Sequence, residues 1–119
     1  MDIQPIEFGE KPLSPEDIRF RNVKLTLYPD RHRVKVAVSL TPFISPPNIE
    51  IDVRDESEHR VANAVIVGVS GPDLAVTLHL RGEVPAGDYR FLLSLGYQEN
   101  ENVDQREVIL QIPDSDEEG

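Results

Sequence analysis

Apolar and polar residues alternate with a period of two along most of this chain, and the clearest run is Tyr89, Phe91, Leu93, Leu95 and Tyr97. That alternation predicts a half-buried strand. Pro85-Ala86-Gly87-Asp88 precedes it and reads as a tight corner. Earlier in the chain, Val34, Val36, Val38 and Leu40 alternate with Lys35, Ala37 and Ser39, which predicts a strand over 33–40. Tyr28-Pro29-Asp30-Arg31 is the turn joining it to a strand over 18–28. In that first strand the apolar phase switches, from even positions (Ile18, Phe20) to odd ones (Val23, Leu25, Leu27). A switch of phase predicts a bulge near Arg21-Asn22.

The same reading places strands over 48–54 (Ile49, Ile51, Val53), 61–69, 74–80 (Leu74, Val76, Leu78, Leu80) and 105–112 (Val108, Leu110, Ile112). The 61–69 run differs from the others in being apolar on both faces, so it is covered on both sides or sits at a contact edge. Thr41 to Asn48 contains Pro42, Pro46 and Pro47 and reads as a stiff loop, since proline cannot donate to a ladder. Ser14-Pro15-Glu16-Asp17 can open one helical turn and no more. Residues 1–17 form an irregular leader, 18–112 the domain and 113–119 an acidic, disordered-looking tail. Seven short strands without a long helical period predict an all-β, seven-stranded antiparallel sandwich.

At Gly87-Asp88-Tyr89-Arg90-Phe91 the chain resembles immunoglobulin-like and fibronectin III-like domains, whose next-to-last strand is often entered through a tyrosine corner. The resemblance implies that the Tyr89 hydroxyl bonds backbone a few residues upstream while its ring packs. It implies a fold and no activity. The chain has no cysteine and no tryptophan, which departs from the antibody core.

Composition then narrows the function. A chain of 119 residues is enough for one core. Without cysteine there is no disulfide, thiolate metal site or cysteine nucleophile, so a cytoplasmic protein is expected, with an excised domain of an exported protein as the alternative. The N-terminus has no basic start and no apolar run, so it is not a signal peptide, and no stretch is long and apolar enough to span a bilayer. The net charge is −10, yet residues 19–35 carry six cations against Asp30 alone. The overall charge excludes nucleic acid and anionic membrane as main partners. The stripe Arg19, Arg21, Lys24, Arg33 and Lys35 reads as protection of an edge hairpin, or else as a patch for an acidic partner, the 114–118 tail included.

No catalytic spacing is present, and Gly68-Val69-Ser70-Gly71 reads as a turn. His32, His59 and His79 fall at polar positions. The expected function is therefore a non-enzymatic protein-interaction or structural module. Phe43 and Ile44 in the proline-stiffened loop are the candidate partner-binding residues, the 97–104 loop is a second candidate contact, and strand 61–69 is a candidate homodimer contact. The alternative is a calcium module using Glu99, Glu101 and Asp104, because hard cations take several oxygen ligands. A second acidic cluster, Asp52, Asp55, Glu56 and Glu58, lies at the opposite end of a sandwich and cannot pool ligands with the first. A small hydrolase ranks last, and no cofactor other than calcium is expected.

Overall fold

A computed structural model describes residues 11–82, 86–97 and 102–113. Seven strands follow one 3-10 turn over Pro15–Asp17: β1 (Phe20–Leu27), β2 (Arg33–Leu40), β3 (Asn48–Arg54), β4 (Arg60–Ile66), β5 (Asp73–His79), β6 (Gly87–Gly96) and β7 (Asn102–Ile112). They form two antiparallel sheets, ordered β1-β2-β5 and β4-β3-β6-β7. The molecule is a β-sandwich. Its fourth strand joins β3 rather than β5, which sets it apart from the constant-type arrangement with that strand beside the fifth.

A tight loop explains the β3–β4 hairpin. The Asp55 carboxylate accepts from the backbone N–H of Ser57 and of His59, both at 2.9 Å, and Glu58 takes the left-handed region at φ 68. Short polar side chains that bond backbone in this way make turns, and a turn this short leaves the next strand beside the previous one.

The alternation read from the sequence is the inner layer. Val34, Val36, Ile49, Ile51, Val53, Phe91, Leu93 and Leu95 are fully buried, and Phe91 is the largest of the wholly enclosed side chains. Burial of such groups supplies the main driving force, at about 1.5–3 kcal/mol per large side chain. Along β3–β6 the registers Ile49↔Leu95, Ile51↔Leu93 and Val53↔Phe91 pair core residues directly across the ladder.

The expected bulge in the first strand is present: the β1–β2 register shifts between Phe20 and Asn22. β7 meets the shifted backbone. Asp104 and Arg106 stand opposite Leu95 and Leu93, so they share the inner side of the ladder. Asp104 Oδ2 accepts from Phe20 N at 2.9 Å and Arg106 Nη2 donates to Phe20 O at 2.7 Å. The Arg106 guanidinium also lies 5.9 Å from the Phe20 ring centroid. This grip joins the two sheets along their β1–β7 side.

Two boundaries differ from the sequence reading by three residues, and those of β1 and β5 and the start of β4 by one or two. β7 begins at Asn102, so Asn102 to Asp104 belong to a strand and not to the polar loop, because Leu95 and Gly96 pair with Asp104 and Asn102. β4 ends at Ile66, where Gly68 at φ 69 turns the chain out of the ladder. No helix among the described residues is long and apolar enough to cross a membrane.

Candidate functional site

Strand direction sorts the loops into two groups. The 41–47 and 67–72 connections, Tyr97 and the start of β7 lie at one end of the sandwich, the Tyr97 end. The Tyr28–His32 and Asp55–His59 turns, the entry to β6 and Pro113 lie at the other, the Asp55 end.

At the Tyr97 end, Phe43 and Ile44 part company. Phe43 is half-buried and packs against the core, while Ile44 is 66% exposed. The loop carrying them is tied down from three directions. Leu13 N donates to Pro42 O at 3.0 Å and Ile44 N donates to Leu13 O at 3.2 Å, so the chain at Leu13 runs beside the loop, while residues 1–10 of the leader lie outside the described residues. Tyr97 Oη donates to Ser45 O at 2.7 Å from the end of β6. Val69 N donates to Pro47 O and Gly68 N to Asn48 Oδ1, each at 2.9 Å, which fastens the neighbouring connection. Burial raises the Tyr97 hydroxyl above its ordinary pKa.

Four large apolar side chains among the described residues are exposed, and three of them stand at this end: Ile44, Val65 near the close of β4 and Val67 just beyond it. The two-faced 61–69 run therefore divides. Val61 and Ala62 are buried, and Val65 and Val67 reach solvent at 59% and 76%. The fourth, Ile109, lies on the outer side of β7.

The acids at the Asp55 end form bonds that hold the sandwich. Asp52 accepts from Arg54 Nε at 2.7 Å and Arg60 Nε at 2.6 Å. Glu58 takes Arg90 through two bonds, at 3.1 and 2.6 Å, and Glu107 meets Arg90 Nε at 3.3 Å. Glu56 accepts from Asp88 N at 2.9 Å. Of the candidate calcium ligands, Glu99 and Glu101 lie outside the described residues, and Asp104 holds the backbone of Phe20. No group of three His, Asp or Glu side chains placed to hold a metal occurs among the described residues.

The basic stripe divides as well. Lys24 and Lys35 are exposed on the outer side of the three-stranded sheet. Arg33 pairs with Asp30 at 2.7 Å and covers the Tyr28 ring at 4.6 Å. Arg31 donates to the Pro113 carbonyl, so the candidate tail departs beside the hairpin turn, and residues 114–118 themselves lie outside the described residues. Tyr89 is buried at the Asp55 end. Burial raises its hydroxyl pKa, opposed by a backbone hydrogen bond from Ala86, three residues upstream.

Solved structures share this fold. The chain is similar to a β-glucuronidase from Bifidobacterium dentium, with a TM-score of 0.65 and 11% identity over 81% of this chain and 18% of that one. It is similar also to a β-glucuronidase from Parabacteroides merdae, with a TM-score of 0.65 and 14% identity over 81% of this chain and 13% of that one. A glycosyl hydrolase family 2 member from Bacteroides cellulosilyticus gives a TM-score of 0.59 and 16% identity over 80% of this chain and 14% of that one. No protein-family model matches the chain, and no curated protein matches it in sequence. At these identities the likeness is one of fold, and the chain spans less than a fifth of each of these proteins.

Proposed function

We propose that this chain is a non-enzymatic interaction and structural module of immunoglobulin-like or fibronectin III-like type, and that it docks a protein partner through its Tyr97 end. The observation that carries this is the grouping of Ile44, Val65 and Val67, exposed apolar side chains, on a loop-and-edge surface tied down by backbone bonds. A surface already ordered before binding loses little conformational freedom on contact, so a small apolar patch suffices for useful affinity. The fold likeness supports an accessory role, since a unit of this kind occupies 13–18% of each of three far longer glycosidase chains.

Affinity capture with the full chain, its I44D and V67D variants and an I109D control tests the reading. The expected result is a partner retained by the wild type and the control and lost with I44D and V67D. Equal recovery with all four overturns the docking end. Turnover of an aryl glucuronide or galactoside by the purified chain overturns the non-enzymatic reading.

A further inference from the structure

We infer that β4 is a self-pairing edge, and that two copies of this chain join their four-stranded sheets through it about a two-fold axis at Val65. The inference goes beyond the loop-end reading: it shares the exposed Val65 and Val67 with that reading and adds the open backbone edge of β4.

β4 closes one side of its sheet, with β3 as its only strand neighbour among the described residues. A strand edge presents unpaired backbone groups, and proteins guard such edges with charge, proline or cover. Two of the other edges carry charge along their length: β1 has Arg21 and Lys24, and β7 has Asp104, Arg106 and Glu107. β5 has Asp73 at one end and turns only the small Ala75 and Thr77 outward before His79, whereas β4 exposes the large apolar Val65, with Val67 just beyond it. From Val61 to Pro72 no residue is charged, in a chain of which 29% is Asp, Glu, Lys or Arg.

The backbone shows how much of the edge is open. At the Arg60 end the Val61 carbonyl accepts from Arg81 N at 3.0 Å, which closes the edge there. At the other end Gly68 and Val69 turn away to bond Asn48 and Pro47. The open stretch runs between them, over 62–67.

The run's self-complementarity points to a second copy as the occupant. Each copy carries −10, so a symmetric contact must keep like charges from facing one another. Antiparallel pairing about Val65 sets Val65 against Val65, Ala64 against Ile66 and Asn63 against Val67. Every one of these positions is uncharged, and the Val61–Val69 run maps onto itself. The same operation on β1 or β7 brings charged strands together. Val65 and Val67, 59% and 76% exposed, become the apolar cover of the seam.

An edge this short makes a weak dimer. Sedimentation of the full chain from about 10 µM to about 500 µM is expected to show a monomer passing to a dimer. V65K is expected to remain monomeric, and I44D and I109K to dimerise as the wild type does. The chain lacks cysteine, so single cysteines report register without background. Opposed residues in an antiparallel pair have Cα atoms about 4.5–5.5 Å apart, within disulfide range. Oxidation is therefore expected to cross-link V65C to itself, and N63C to V67C in a mixture, but not I109C. A wild type that stays monomeric throughout, or a V65K that dimerises, overturns the edge and leaves the loop-end reading standing. A dimer broken by I44D but not by V65K also overturns it.

Discussion

Asp52 shows how a single carboxylate on the outer side of a sheet ties two strands together. It sits on β3, takes Arg54 from its own strand and Arg60 from β4, and keeps two guanidinium groups from facing each other unpaired. Burial alone would raise its pKa, but the hydrogen bonds and charges of Arg54 and Arg60 outweigh it and hold the carboxyl below 3.8. A carboxylate whose folded pKa is depressed adds stability that is fully present above the unfolded value. That stability is lost as pH falls through the folded pKa. D52N is therefore expected to lose about 1–2 kcal/mol at neutral pH. Its deficit should hold down to about pH 5 and shrink as pH drops below 3.8, where the wild-type carboxylate is itself protonated. Urea unfolding of both proteins at several pH values measures this directly, and a deficit independent of pH would assign the loss to packing. Asp104 is the complementary case. In the sequence it stood among acids and amides suited to a cation, and in the fold it accepts from the backbone of Phe20. The signal for that role was present, because 104, 106, 108, 110 and 112 share one phase, and Asp and Arg occupy its first two places. Charges in an apolar phase mark an inter-sheet grip as readily as a strand end.

At the scale of elements, what the sequence revealed follows from how local each signal is. The 33–40 and 48–54 strands coincide with β2 and β3, since strict alternation with turn residues on both sides leaves no other register. The start of β7 was not legible, because Asn102, Val103 and Asp104 look like a polar loop until Leu95 and Gly96 are known to lie opposite. The side of the sandwich taken by β4 depends on the Asp55 turn, whose two backbone bonds no periodicity reveals. The corner read before β6 begins at Pro85, outside the described residues, and its Gly87 opens β6 itself. Gly87 has φ 98, and a Cβ there would lie 2.9 Å from Glu56 Oε2, the atom that accepts from Asp88 N. G87A therefore meets both backbone strain and a displaced carboxylate. It is expected to cost about 1–2 kcal/mol, and G71A, where a Cβ meets nothing within 4 Å, less than about 0.5 kcal/mol. Chemical denaturation midpoints of the two variants compare them, and equal losses would remove the strain argument.

For the whole molecule the governing quantity is charge: −10 on 119 residues, with cations gathered in 19–35. Like charges spread over one small sandwich repel, and added salt screens that repulsion. The short pairs at Asp52 and Arg90 are screened too, but they stand at 2.6–2.7 Å and are reinforced by hydrogen bonds. Screening should act more on the diffuse repulsion, so sodium chloride is expected to raise the melting temperature modestly. This separates general screening from a cation site in the 99–104 loop. A bound ion stabilises in proportion to its occupancy, on top of any screening. With Asp104 held by Phe20, calcium chloride and sodium chloride at matched ionic strength are expected to give melting temperatures within about 1 °C of each other. An excess of several degrees with calcium that disappears in an E99Q/E101Q variant would make that loop a calcium site, and Asp104 would then have to serve the ion and the bulge together.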